Sequence, residues 1–304
     1  MSVNVKGEMM KVFVTGATGF IGSALVPELL QADHKVLGMT RSEKGAELLT
    51  NLGADPHFGT IEDLDSLKAG AVQADAVIHL AFNHDFTNFQ KNCEDDRKAI
   101  EAMGEVLAGS GKPFIGTGGV LVGNPVPGHP VDEDDVRPAD GFPRQSEQAT
   151  LETVEKGVRG IVMRLSQIHD TRKQGLVSFL IRVALEKKVL AYVGDGSQRW
   201  AAAHVSDTAR LYRLALEKAE AGSKWHAVAE QGVSARDIAE ALGHRLNLPV
   251  VSISVEEASA HFQFVVGHFM TLDCPTSNMK TRERLGWEPT GPGLIDDLNR
   301  LVLP

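Results

Sequence analysis

From Lys11 onward, short apolar runs alternate with amphipathic stretches. This is the pattern of a parallel sheet covered by helices on both faces. Residues 11–15, 35–39, 74–81, 113–116 and 160–164 read as buried strands. Between them Ile21, Ala24, Leu25 and Leu29 keep the helical period, as do Ile100, Met103 and Leu107. The predicted fold class is therefore α/β, a doubly wound parallel sheet filling roughly the first 160 residues. Beyond Asp170 helical stripes outnumber strands: Leu176, Phe179, Leu180 and Val183 form one, and Ile238, Ala241, Leu242 and Leu246 another. Ser234 with Asp237 three residues on is a capping-box opening for the second stripe. The last seventy residues, with 175–188, read as a smaller C-terminal cap. Residues 123–143 hold five prolines and the acidic run Asp132, Glu133, Asp134 and Asp135. A loop of that length without periodicity is a functional lid or a mobile segment, and the acidic run reads as a solvated face.

Composition narrows the class. Hydrophobic residues at 42% and charged residues at 23% are those of a globular chain, which excludes disorder and a coiled coil. A net charge of −9 without a Lys/Arg run gives no electrostatic footprint for nucleic acid or an anionic membrane. Cys93 and Cys274 match no disulfide framework or zinc spacing, and free thiols suit a reducing compartment. Without an apolar leader or a long apolar run, the expected location is cytoplasmic. The expected partner is a small molecule, with no metal, no nucleic acid and no membrane.

Candidate chemistry begins at Val14-Thr15-Gly16-Ala17-Thr18-Gly19-Phe20-Ile21-Gly22, between an apolar strand and an amphipathic helix. A dinucleotide fingerprint requires that context. Gly16 permits a tight turn, Gly19 removes a Cβ where backbone approaches a pyrophosphate, and Gly22 lets the helix lie close on the strand. The helix start, with Thr18, Phe20 and Ile21, offers N–H groups to the anion. At the end of the second strand, Thr40 stands where an acidic residue would hold a ribose 2′-hydroxyl; Arg41, Ser42 and Lys44 follow it. That choice favours NADP over NAD, although an arginine also stacks on adenine or faces solvent readily.

The Thr-Gly-x-x-Gly-x-x-Gly spacing over Thr15–Gly22 resembles the extended short-chain dehydrogenase/reductase family, also called the NAD-dependent epimerase/dehydratase family. Val77-Ile78-His79-Leu80-Ala81, Trp200 with His204-Val205-Ser206-Asp207, and Thr281-Arg282-Glu283-Arg284-Leu285-Gly286-Trp287 resemble three further segments of it. The resemblance implies a Rossmann NAD(P)-binding domain over 10–169, completed by parts of 189–230, and a substrate-binding cap formed by 170–188 and 231–304. It also implies a nicotinamide cofactor, with Leu80 and Ala81 under the adenosine and ribose, and members that often form homodimers through two helices beside the sheet.

The family carries a catalytic Ser or Thr after the fifth strand and a Tyr-x-x-x-Lys about twenty residues later, and here the sequence departs. Gly116-Thr117-Gly118-Gly119 leaves Thr117 as the hydroxyl next to the serine position, which falls at or near Gly118. The helix expected to carry Tyr and Lys reads Phe142-Pro143-Arg144-Gln145-Ser146-Glu147-Gln148, which aligns Arg144 and Gln148 with the pair. The two tyrosines, Tyr192 and Tyr212, lie far downstream. Arginine stays cationic, so Arg144 can stabilise a developing alkoxide or hold a carboxylate but cannot supply a proton. The candidate catalytic set is Thr117, Arg144 and His204, with His129, His84 and His169 as other imidazoles. Each also has a structural reading, as a strand-end hydroxyl, a surface cation or a satisfied histidine. The expected activity is NADP(H)-dependent hydride transfer involving a small carbonyl or alcohol. Two alternatives remain, a non-catalytic NADP(H)-binding sensor or scaffold and a sugar-nucleotide epimerase/dehydratase-like enzyme.

Overall fold

Apolar strands lying side by side must bury both faces, and helices supply the cover. The computed structural model describes residues 8–120, 129–136, 143–262, 267 and 269–303. The first strands and helices alternate: β1 (Lys11–Thr15), α1 (Phe20–Gln31), β2 (Lys35–Thr40), α2 (Glu43–Leu52), β3 (Asp55–Phe58), α3 (Leu64–Val72), β4 (Ala76–His79), α4 (Phe89–Val106), β5 (Pro113–Gly119), α5 (Ser146–Glu155) and β6 (Arg159–Leu165). Next come β7 (Gln167–His169), α6 (Val177–Lys187), β8 (Leu190–Val193), β9 (Arg199–His204), α7 (Val205–Lys218), β10 (Lys224–Ala227) and β11 (Glu230–Ser234). The chain continues through α8 (Ala235–Leu246), β12 (Val250–Ile253), α9 (Val255–Phe262), α10 (Met279–Leu285) and α11 (Leu294–Asn299).

Seven strands form one sheet in the order β10-β6-β5-β4-β1-β2-β3, with β1 parallel to both β2 and β4. The crossover from β3 to β4 passes to the other side of β1. It creates a topological switch point at the carboxyl ends of β1 and β4, where open α/β sheets bind ligands. Phe13, Leu37, Val77, Ile100, Met103 and Phe114 form the apolar heart of this sheet and its helices.

The chain divides into two compact units. The first comprises Met1–Gly118, Ala139–Arg164 and Ala209–Trp225. The second comprises Gly119–Pro138, Leu165–Thr208 and His226–Pro304. In the second, β11-β9-β7 make a small sheet and β12-β8 a two-stranded parallel one. Ser234 Oγ caps α8 by accepting from Asp237 N at 3.0 Å. Trp287 is fully buried and its indole donates to Asp207 O at 2.9 Å.

The acidic run is the solvated face expected of it at Asp134 and Asp135, which are exposed, but not at Glu133. Residues 121–128 and 137–142 of the proline-rich stretch lie outside the described residues; within 129–136, Asp132, Glu133 and Asp134 contact α10. Glu133 is buried and its Oε1 accepts from Thr281 N at 2.8 Å and Thr281 Oγ1 at 2.7 Å. Asp132 and Asp134 both pair with Lys280, at 2.8 and 2.6 Å. The carboxylates fasten the loop to the first turn of α10, where helix N–H groups and the dipole favour negative charge.

Candidate active site

The glycine turn bridges β1 and α1 as its spacing requires. Gly16 has φ +68°, and a Cβ there would lie 2.9 Å from Ala81 N, at the end of β4. Gly22 is tighter, because its Cβ would fall 2.2 Å from Gly16 O. Gly19 caps α1 without a side-chain hydrogen bond, and no acidic residue occupies the first turn. Thr18, Phe20, Ile21, Leu80 and Ala81 are half-buried around it. This is a backbone cradle beside a helix N-terminus, chemistry suited to an anion.

At the end of β2, Thr40 is buried while Arg41, Ser42 and Lys44 are exposed. Ser42 Oγ accepts from Gly45 N at 3.2 Å and so caps α2, which leaves its hydroxyl hydrogen available as a donor.

The carboxyl ends of β4 and β5 carry a second construction. Thr15 Oγ1 accepts from Leu80 N and Ala81 N, each at 3.1 Å. With both lone pairs engaged, its proton goes to His79 Nδ1 at 2.8 Å. The His79 ring proton therefore sits on Nε2 and is donated to Asp96 Oδ1 at 3.2 Å. Asp96 Oδ2 accepts from Ser146 Oγ, and Ser146 Oγ accepts from Arg144 Nε at 2.9 Å. Burial raises the Asp96 pKa, but the His79 hydrogen bond, the Arg144 charge and the Ser146 hydrogen bond outweigh it. The carboxyl is held below its ordinary value.

Arg144 and Thr117 are brought together: Arg144 Nη2 donates to Thr117 O at 3.0 Å. The guanidinium carbon lies 4.0 Å from the Phe82 ring centroid, a cation–π contact. The Thr117 hydroxyl is directed inward, donating to His79 O at 2.7 Å and accepting a hydrogen bond from Tyr212 OH at 2.8 Å. Tyr212 is thus close to Thr117 in space although distant in sequence. Its phenol is fully buried, and desolvation pushes its pKa above the ordinary value, so it stays protonated.

Arg144 precedes α5, which begins at Ser146, and Gln148 is exposed with its amide bonded to Glu152 Oε1 at 3.0 Å. The serine position at Gly118 faces a buried ion pair: a Cβ there would lie 4.0 Å from Glu147 Oε2. Arg164 grips Glu147 bidentately at 2.9 and 2.7 Å.

His169 and His204 lie together, their ring centroids 5.7 Å apart, while His84 and His129 stand elsewhere. His84 stands edge-on to Phe82, with ring centroids 5.1 Å apart, and keeps solvent access. Shielding by its neighbours, then the like charge of Arg144, pulls its pKa below the usual imidazole value. His204 belongs to the second unit, where Nδ1 meets Ser206 Oγ at 2.7 Å and Nε2 lies 3.8 Å from Asp297. His169, fully buried, binds the same Asp297 through Nδ1 at 2.7 Å. His129 is exposed.

Sequence reasoning missed Asp96, Ser146 and Tyr212. Asp96 carried a signal: it falls on the apolar stripe of α4 with Cys93, Ala99, Ile100 and Met103, where a carboxylate needs a buried partner.

Sheet order, switch point and glycine cradle define a Rossmann-type α/β protein. Residues 12–229 match the profile of the NAD dependent epimerase/dehydratase family, and the chain belongs to that family. It is 47% identical over 293 residues to an uncharacterized protein of Schizosaccharomyces pombe, covering 95% of this chain and 98% of that one. A 4-hydroxy-2-methyl-3-oxo-4-farnesyl-3,4-dihydroquinoline-1-oxide ketoreductase of Stigmatella aurantiaca is 26% identical, over 83% of this chain and 79% of that one. Among solved structures, a dTDP-glucose 4,6-dehydratase of Streptomyces venezuelae with NAD and TYD bound superposes with TM-score 0.77. Its identity is 18%, covering 96% of this chain and 95% of that one, and it shares the fold. No helix among the described residues is long and apolar enough to cross a membrane.

Proposed function

We propose that the chain is an NADP(H)-dependent oxidoreductase acting on a small carbonyl or alcohol, an atypical member of its family in which Arg144 replaces the catalytic tyrosine. The glycine cradle fits a dinucleotide, since Gly16 and Gly22 leave no room for a Cβ and α1 opens without a competing acidic side chain. Gly16, Thr18, Gly19, Phe20, Ile21 and Gly22 would hold the pyrophosphate, and Leu80, Ala81 and Thr117 would line the rest of the site. Arg41 and the free hydrogen of Ser42 would take a 2′-phosphate. The bound nicotinamide supplies the hydride donor or acceptor.

The observation that carries the reading is the fixed guanidinium of Arg144, bound on one side to Ser146 and on the other to Thr117 O. A permanent cation stacked on Phe82 and fixed by two hydrogen bonds would stabilise negative charge on a substrate oxygen without reorganising. It cannot exchange a proton. An imidazole has to supply one, and His84, on the same Phe82, is the first unit's candidate; His204 is the second unit's. The S. aurantiaca ketoreductase supports carbonyl chemistry.

Two measurements test this. NADPH should bind more than tenfold tighter than NADH, because charge-assisted contacts to a phosphate are roughly twice as strong as neutral ones, and Arg41→Asp should reverse the order. A panel of activated aldehydes, quinones and ketones should stimulate NADPH oxidation. Equal affinity for the two cofactors would remove the NADP assignment, and tight NADPH binding without turnover would replace the enzyme by a sensor.

A further inference from the structure

A guanidinium serves as an electrostatic catalyst only if it is held still, and a misplacement of about 1 Å can cost on the order of a hundredfold in rate. Arginine ordinarily carries about 2 kcal/mol of side-chain rotamer entropy, so some group must restrain it. In this protein the restraint is a chain of hydrogen bonds whose donors converge from both ends on Asp96. It starts at backbone N–H groups of Leu80 and Ala81 and runs through Thr15, His79, Asp96 and Ser146 to Arg144 Nε. Thr15, His79, Asp96 and Ser146 are all buried. Each hydroxyl in it both donates and accepts, so neither Thr15 nor Ser146 can rotate without losing a bond on each side.

The chain links two features that sequence alone left separate. Thr15 immediately precedes Gly16 of the cofactor cradle, and its oxygen ties β1 to the Leu80–Ala81 backbone against which Gly16 packs. Arg144 is the residue that motif spacing aligns with the family's tyrosine, just ahead of α5. Asp96 joins them by taking one hydrogen bond from each side, and its charge opposes that of Arg144.

We propose that Ser146 and Asp96 are positioning residues for the reaction, fixing Arg144 in register with the glycine turn through the buried Thr15–His79–Asp96–Ser146 chain. The proposal rests on the reading of Arg144 as the group that faces substrate. Ser146 orients the guanidinium through Nε, while Asp96 supplies the negative charge that keeps a cation at this place in a partly buried site. His79 holds the carboxylate in one rotamer.

The test uses Ser146→Ala, which removes the bridging hydroxyl, and Ser146→Thr, which restores one. Arginine Nε–H resonances of the full chain, with that of Arg144 identified by its absence in Arg144→Lys, report positioning without turnover. Ser146→Ala should lose solvent protection of the Arg144 Nε–H and lower kcat about tenfold or more, with the NADPH dissociation constant unchanged. Ser146→Thr should recover both. A Ser146→Ala protein that keeps a protected Arg144 Nε–H overturns the proposal, as does one that loses the protection and keeps parent kcat while Arg144→Ala does not. If Arg144→Ala itself turns over like the parent, the reading of Arg144 fails, and the resonance still decides whether Ser146 positions it.

Discussion

Each unit buries a histidine–aspartate pair, and the two pairs are built in opposite ways. In the first, both ring nitrogens of His79 are hydrogen-bonded, and Asp96 is further bonded to Ser146, which carries the Arg144 guanidinium. The set contains a negative and a positive charge, and the carboxyl is pulled below its ordinary pKa. In the second, His169 Nδ1 meets Asp297 at 2.7 Å, while its buried Nε2 has no hydrogen-bond partner among the described residues, with Glu230 Oε2 at 4.0 Å. Desolvation dominates there and, although Asp297 and Glu230 oppose it, pulls the His169 pKa below its usual value. A saturated polar network that includes a permanent cation holds a fixed geometry over a wide pH range. A network with an open imidazole nitrogen leaves a group that gains a proton on unfolding.

The most disruptive way to break the contrast is Asp96→Ala, which strips His79 and Ser146 of their acceptor and leaves the Arg144 charge uncompensated. Removing one partner of a buried charged set costs about 3–5 kcal/mol, so chemical denaturation should show a loss of that order. A change near that of an ordinary surface substitution, within about 0.5 kcal/mol, would show that the network does not hold the first unit together.

A smaller effect sharpens the comparison through pH. His169 has a lowered pKa in the folded state, so the unfolded chain binds more protons once pH falls below about 6.5, and the stability tied to this group declines as pH drops through that region. Asp96 also has a lowered pKa, but as a carboxyl its contribution is present above about 3.8 and is lost only as pH falls through the folded value. Hydrogen exchange at pH 7 and pH 5 should therefore show peptides around His169 and Asp297 losing protection while those around His79 and Asp96 keep theirs. His169→Phe should remove the difference. Equal loss of protection in both regions would contradict the contrast.

Much of this was legible in the sequence because it depends on local pattern. The 11–15 strand was placed to the residue, and the stripes of Ile21 to Leu29 and of Ile238 to Leu246 lie on α1 and α8. The predicted strand 74–81 shortened to β4, since Leu80 and Ala81 turn away from the ladder to bond Thr15 Oγ1. β3 went unseen because Asp55-Pro56-His57-Phe58 lacks alternation, and an edge strand paired only with β2 tolerates its proline. Motif spacing singles out Arg144 and Thr117, which the structure brings together. Asp96, Ser146 and Tyr212 were not singled out, because their partners lie 17, 50 and 95 residues away and no short-range period encodes such pairing. Within the acidic run only Glu133 departs from the solvated face, for a similar reason, since charge alone does not reveal that it meets Thr281 across 148 residues.

The central claim is that a pinned arginine does the electrostatic work of the missing tyrosine. Turnover of NADPH by Arg144→Ala, measured at saturating cofactor against the best carbonyl substrate of the parent, tests it most directly. The account predicts a kcat lower by about a hundredfold, in the range found for loss of one preorganised oxyanion donor, with the NADPH dissociation constant unchanged. A parent-like kcat in a folded Arg144→Ala protein would contradict it.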